Sequence, residues 1–224
     1  MKILTTILTN PSTQNRADAC SDTWINDIKS PHEYYFYGSK TQSEKMDRTW
    51  NCEPDDGEHR NRLPEKTYKM LIESLRHEWD FLFKCDDDTY VNFDKLVGFL
   101  KDYDANDDLY IGRNPPADDQ HPRFSFLYAQ GGAGYILSRS AVEKCLYSLK
   151  YFYKDKSKNE FAEDYSVGLA LHEQQINLKY TDLLSTQAEV DVEQSVCIDA
   201  INKNNKITTH YVKPDTMIEI YNTK

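Results

Sequence analysis

The sequence predicts an α/β protein whose central sheet is mostly parallel and carries helices on both faces. Three observations lead there. The first half alternates apolar strand-like segments with helix-period segments, the order that βαβ units produce. Three carboxylates, Asp86, Asp87 and Asp88, directly follow one of those strands, and such sheets bind ligands beyond the carboxyl ends of their strands. The length, 224 residues, suits one domain with a sizeable core, taken here as residues 1–224.

The elements follow in order. "KILTTILT" (2–9) reads as the first strand. "STQNRADACSDTWINDI" (12–28) reads as a helix, with Ala17, Cys20, Trp24 and Ile28 three or four apart and Ser12 as its N-cap after Pro11. "EYYFYG" (33–38) is a second strand, and a charged irregular stretch runs from Ser39 to about Arg60. "RLPEKTYKMLIESLRHEW" (62–79) is a helix with Leu63, Thr67, Met70, Leu71, Ser74 and Leu75 on one face. "WDFLFKC" (79–85) is a strand placing Trp79, Phe81, Phe83 and Cys85 on one side. "NFDKLVGFLKDY" (92–103) has Phe93, Leu96, Val97 and Leu100 at helical spacing, with Asn92 as N-cap. A strand "DLYIG" (108–112) precedes a turn-rich loop (113–123), and "FSFLYAQ" (124–130) and "YIL" (135–137) read as extended. "SRSAVEKCLYSL" (138–149), capped by Ser138, and "EDYSVGLALHEQ" (163–174) are helices. "INLKYTD" (176–182) is a strand, residues 183–206 are ambiguous, and "KITTHYV" (206–212) looks extended.

Composition narrows the function. Hydrophobic residues at 39% and charged residues at 29% are ordinary for a globular protein. A net charge of -10 argues against nucleic acid or anionic lipid as a partner. It still permits an anionic ligand delivered with a metal ion. No apolar run approaches the about 20 residues that span a bilayer, and the N-terminus lacks a signal-peptide pattern. Cys20, Cys52, Cys85, Cys145 and Cys197 are scattered, which favours reduced or buried thiols over one or two disulfides.

The acidic triplet carries the chemistry. Hard divalent cations prefer carboxylate oxygens, and two carboxylates one residue apart after a strand can point into one cleft. Taken alone, the triplet also fits a solvated turn with Asp88 starting the next helix. The cluster Gly131, Gly132 and Gly134 is the second signal, because it marks backbone that must turn or approach something closely. Its spacing is not that of a dinucleotide fingerprint.

"DFLFKCDDDTYVNFDKL" (80–96) resembles the Asp-x-Asp region of the inverting β-1,3-glycosyltransferases, which include fringe, the core 1 β-1,3-galactosyltransferase and one domain of the chondroitin synthases. Further segments match in the family's order: "DTWIND" (22–27), "RNRLPEKTYKML" (60–71), "YAQGGAGYILSRSAV" (128–142), "EDYSVGLAL" (163–171) and "ITTHYVKPDTM" (207–217). The resemblance covers nearly the whole chain. It implies a GT-A fold, with a nucleotide-binding half over about 1–112 and a donor and acceptor half over about 113–224. It implies transfer of a galactose-like or N-acetylhexosamine-like sugar from a UDP-sugar to a hydroxyl of a glycan or glycoconjugate, with Mn²⁺, inversion and a β-1,3 linkage.

The resemblance also assigns roles. Asp88 becomes the direct metal ligand, Asp86 completes the metal shell or meets the ribose, and Asp87 lies by the nucleotide or holds the turn. His210 becomes the imidazole ligand, and mixed oxygen and nitrogen ligation favours Mn²⁺, with Mg²⁺ as the alternative. Asp164 becomes the general base for the acceptor hydroxyl. Glu163 meets a donor hydroxyl or the acceptor, and the glycine cluster forms a floor under the donor sugar. The competing reading of Glu163 and Asp164 is an acidic helix N-terminus. Thr5, Thr6 and Asn10 are placed at the uridine, and Arg16 and Lys66 at phosphate.

Animal members carry a membrane anchor, a stem and disulfides. This chain opens almost at its first strand, which suggests a cytosolic catalytic core of bacterial or viral source. "YAQ" replaces the small polar residues usual before the glycine cluster, and residues 182–206 are the candidate acceptor-selecting loop. Two other classes compete. A haloacid dehalogenase-type phosphatase also uses Asp-x-Asp, but on its first strand and with Thr or Val where Tyr90 stands here. A sugar- or metal-binding module of the same fold would keep the site without turnover.

Overall fold

The computed structural model describes residues 1–39, 45–52, 62–115, 126–151, 153, 162–185 and 193–223. An interior strand, β1 (Ile3–Thr9), is buried throughout except at Leu8, as in a strand covered on both faces. It pairs in parallel with β2 (Glu33–Gly38) on one side and β4 (Phe81–Asp86) on the other. β3 (Thr49–Asn51) extends the parallel run beyond β2. Past β4, β7 (Tyr135–Ser138) runs antiparallel to both β4 and β6 (Tyr110–Gly112), and β8 (Lys179–Tyr180) pairs in parallel with β6. The order is β3-β2-β1-β4-β7-β6-β8. A smaller sheet joins β5 (Tyr90–Val91), β10 (Thr208–Thr209) and β9 (Leu184–Ser185).

Side-chain alternation along the strands separates two cores. Ile3, Ile7, Phe81, Phe83 and Cys85 pack toward α1 (Gln14–Asp22), α3 (Phe93–Leu100), α6 (Gln194–Asn202) and α7 (Pro214–Thr223). Leu4, Leu82, Tyr135 and Leu137 pack toward α2 (Leu63–Ser74), α4 (Arg139–Leu149) and α5 (Glu163–Glu173). This is the helix–sheet–helix layering expected from the sequence.

Local details differ from the sequence reading. Asn10, not Ser12, is the capping side chain. It accepts from the Ser12 amide and opens a short 3₁₀ turn, Pro11–Thr13, before α1. Pro11 suits that first position because its φ is already helical and its missing N–H needs no partner. The helix stops at Asp22, and Trp24–Asp27 forms a separate 3₁₀ turn. α2 ends at Ser74, whose hydroxyl bonds back to the Leu71 carbonyl at 2.8 Å while Trp79 Nε1 takes the Ser74 carbonyl at 2.7 Å. Trp79 therefore precedes β4 and packs in the core opposite Phe81 and Phe83. Asn92 and Ser138 do cap their helices. Of "FSFLYAQ", residues 126–130 form no strand, and "INLKYTD" and "KITTHYV" keep only β8 and β10. The ambiguous stretch holds β9 and α6. Most of the charged stretch after Ser39 and of the loop after Arg113 lies outside the described residues. All five cysteines are buried and free. Among the described residues no helix is long and apolar enough to cross a membrane.

Candidate active site

The pairing of β1 with β4 sets the site. Leu8 lies beside Asp86, so the two strands end level and the acidic turn emerges next to Thr9 and Asn10. The turn folds back on β1, with the Asp87 amide donating to the Leu8 carbonyl at 3.1 Å. The Asp87 carboxylate points inward and accepts from Thr9 Oγ1 at 2.8 Å and Thr13 Oγ1 at 2.5 Å. Burial pushes its pKa up to about 7 even against those two bonds. Asp88 points the other way. Its Oδ2 accepts from the Arg16 guanidinium at 2.8 Å, and its Oδ1 lies 3.1 Å from His210 Nε2. Burial opposes its ionisation, but His210 and Arg16 more than offset that and hold the carboxyl below its usual range.

The second acidic pair arrives on α5. Glu163 is 4% exposed, and burial pushes its pKa up to about 6 despite a cation beside it. That cation is Lys84 on β4, itself 0% exposed. Its Nζ donates to Glu163 Oε1, to Asp86 Oδ1 at 2.8 Å and to the Gly131 carbonyl at 3.2 Å. Burial works to lower the Lys84 pKa, and the two carboxylates raise it well above its ordinary value. Glu163 Oε2 accepts from Tyr135 OH at 3.2 Å and Thr67 Oγ1 at 3.4 Å. Both oxygens are thus hydrogen-bonded inside the protein. Asp164 is only partly buried. It accepts from the Gly131 amide at 3.0 Å and the Tyr165 amide at 2.8 Å. Burial still raises its pKa, which suits a proton acceptor.

The glycine cluster is required by its neighbours. A Cβ on Gly131 would sit 2.2 Å from Glu163 Oε1, and one on Gly132 would sit 2.0 Å from the His210 ring. Gly134 has φ +95 and packs against Phe83. Thr89 and Thr208 pin this loop by donating to the carbonyls of Gly132 and Ala133, both at 2.6 Å. His210 follows β10, and β10 pairs with β5 just after the acidic turn. The Val212 amide donates to the Asp88 carbonyl at 2.9 Å, and Tyr211, at φ 60, stacks on the His210 ring at 3.8 Å.

Asp86, Asp88 and His210 can each offer a ligand atom, all within 4.8 Å of one another. Asp88 Oδ1 is buried with no hydrogen-bond partner, although His210 Nε2 is close. Carboxylate oxygens and an imidazole nitrogen this close together are donor types that one divalent cation can take up. The adjoining cleft, about 480 Å³, is lined by Asn10, Arg16, Lys66 and the acidic turn.

A sequence profile described as Fringe-like matches residues 4–222. The chain belongs to the Fringe-like family. It is 37% identical over 89 residues to glycoprotein-N-acetylgalactosamine 3-beta-galactosyltransferase 1 of Xenopus laevis, covering 38% of this chain and 23% of that protein. It is 28% identical over 143 residues to the beta-1,3-N-acetylglucosaminyltransferase manic fringe of Danio rerio, covering 55% of this chain and 37% of that protein. The chain thus spans under two fifths of these relatives' lengths. Over 100% of both chains it superposes, at TM-score 0.62 and 12% identity, on a glycosyltransferase involved in glycosylation of the major capsid of PBCV-1. The galactosyltransferase LgtC, solved with donor and acceptor sugar analogs, superposes at TM-score 0.52 and 11% identity, over 100% of this chain and 96% of that one. The shared fold is GT-A.

In this Fringe-like chain the site residues inferred from sequence fall into two groups. Asp86, Asp87, Asp88, Asn10, Arg16 and Lys66 line the cleft, and Glu163, Asp164, His210 and the glycines stand beside it. Lys66 is 2% exposed and reaches Ser39 Oγ at 3.4 Å. Thr5 and Thr6 are different. They lie mid-strand, fully buried, outside the cleft lining, which Thr9 and Asn10 join instead. The residue sequence reasoning missed is Lys84. Its signal was present, because a lysine between Phe83 and Cys85 in a buried strand must find charged partners.

Proposed function

We propose that this protein is a Mn²⁺-dependent inverting glycosyltransferase. It moves a galactose-like or N-acetylhexosamine-like sugar from a UDP-sugar to a hydroxyl of a glycan or glycoconjugate, forming a β-1,3 linkage. The observation that carries the reading is the Asp86, Asp88 and His210 triad at the mouth of the cleft, with Asp164 across the glycine loop. The names of the Xenopus and Danio relatives support the linkage.

Asp86, Asp88 and His210 would hold the cation, which when bound supplies positive charge to the diphosphate leaving group. Arg16 and Lys66 line the same cleft and add positive charge toward that diphosphate. Asp164 takes the acceptor proton as the hydroxyl oxygen attacks the anomeric carbon. One displacement inverts that carbon, with no covalent sugar–enzyme intermediate.

The test is incubation of the protein with a panel of UDP-sugars and Mn²⁺, followed by NMR of the sugar released or transferred. A β-configured product from an α-linked donor is expected. A product of retained configuration overturns the mechanism, and absence of turnover with every donor overturns the function.

A further inference from the structure

Resting on that reading, we propose that the buried Lys84–Glu163 pair is a strut that positions the metal carboxylate Asp86 and the base Asp164 relative to each other. The two are positioning residues, and neither touches a substrate.

Saturation is the first argument. An ammonium has three donors, and Lys84 has three acceptors: Asp86 Oδ1, the Gly131 carbonyl and Glu163 Oε1. It is 0% exposed, so no donor remains for a phosphate. Both Glu163 oxygens are engaged as well, by Lys84, Tyr135 and Thr67.

Connectivity is the second. Lys84 sits two residues before Asp86 on β4 and bonds it directly. On its other side it holds Gly131, whose amide bonds Asp164 Oδ2 at 3.0 Å. It also holds Glu163, the residue before Asp164 on α5. Two short paths therefore join the ion site to the base, and both pass through Lys84. Gly131 is glycine because Glu163 Oε1 and Lys84 Nζ fill the space of a Cβ, at 2.2 and 3.0 Å.

Energetics is the third. A buried ion pair is weak evidence for stability, since matched apolar residues often serve as well. A buried pair bonded to both working regions is better explained by geometry.

The experiment compares wild type, Glu163→Gln and the double variant Lys84→Met/Glu163→Gln. The double variant removes one charge of each sign, so it keeps the net charge beside the ion site and strands no lone buried ion. Melting temperature, Mn²⁺ affinity by electron paramagnetic resonance without nucleotide, and kcat and KM for the best donor are measured. The double variant is expected to melt near wild type, yet lose about tenfold in Mn²⁺ affinity and at least as much in kcat. Glu163→Gln keeps an acceptor for Lys84, so Mn²⁺ affinity and donor KM should hold while kcat falls about tenfold. A stable double variant with wild-type Mn²⁺ affinity and kcat overturns the strut. So does a Glu163→Gln whose only change is a raised KM, which makes Glu163 a substrate contact. Should the double variant not fold, Glu163→Gln decides. A wild type that binds Mn²⁺ but transfers no sugar overturns the proposed function alone, and the Mn²⁺ measurements still judge the strut.

Discussion

The two acidic motifs use adjacent carboxylates in the same divided way. At the end of β4, Asp87 turns inward to Thr9 and Thr13, while Asp88 faces Arg16 and His210. At the start of α5, Glu163 turns inward to Lys84, Tyr135 and Thr67, while Asp164 stays beside the cleft on backbone amides. One carboxylate of each pair is an anchor and its neighbour is free to work. The anchors differ in kind. Asp87 is held by neutral hydroxyls and Glu163 by an ammonium. Loss of the Asp87 charge unpairs no buried cation, whereas loss of the Glu163 charge leaves buried Lys84 with Asp86 as its remaining carboxylate partner. An acidic run that looks like concentrated repulsion in sequence is thus spread over two sides of a turn.

The division is broken most directly at the workers. Asp88→Ala should abolish Mn²⁺-dependent UDP binding in calorimetry, whereas Asp87→Asn should retain it, because the amide can still accept from Thr9 or Thr13. The reverse pattern would exchange anchor and worker. On α5, Asp164→Asn should leave UDP affinity intact and slow transfer by at least about 10²-fold, the lower end of general-base contributions. Near-normal turnover removes Asp164 as the base.

Gly132→Ala separates the two motifs. The new Cβ would fall 2.0 to 2.6 Å from three His210 ring atoms, and Tyr211 stacks on that ring. The imidazole must move, so Mn²⁺ affinity should fall about 10- to 100-fold. Asp164, held by Gly131, should be spared. Mn²⁺ raised to saturation should therefore restore most of kcat. A kcat still depressed at saturating metal would mean that the loop couples both sites.

Much of this was legible in the sequence because it rests on local periodicity. β1, β2, α4 and the Asn92 and Ser138 caps follow from patterns a few residues long. The acidic triplet, the Glu163–Asp164 pair and His210 were legible as motifs and by resemblance. What was hidden depended on direction. The inward direction of the Asp87 carboxylate depends on Thr9 and Thr13, more than seventy residues earlier in the chain. Lys84 read as one polar residue in an apolar strand, since Glu163 and Gly131 are brought to it only by the sheet. Thr5 and Thr6 fall short of the cleft because it begins at the strand's last residues, where β1 and β4 end level. β10 was legible within the extended "KITTHYV", but the two-residue strands β5 and β9 that flank it carry too little pattern to see, and their pairing with β10 sets His210 near Asp88.

The smallest expected effect tests the α5 anchor through pH. Glu163 has an ordinary value of 4.5, raised to about 6 by burial. A carboxylate with a raised folded-state pKa stabilises the fold fully below its unfolded pKa, and that contribution is lost as pH rises through the folded value. Lys84 stays charged across this window and adds nothing to the slope. Asp87 and Asp164 titrate in both proteins and largely drop out of a difference. The stability of wild type minus that of Glu163→Gln should therefore decline between about pH 4.5 and 6, by about 2 kcal/mol at most. Denaturant melts at pH 4.5 and 7.5 with chelator present measure it. A difference that grows with pH would mean that Lys84 draws the Glu163 pKa below 4.5, and the anchor would then be strongest at neutral pH.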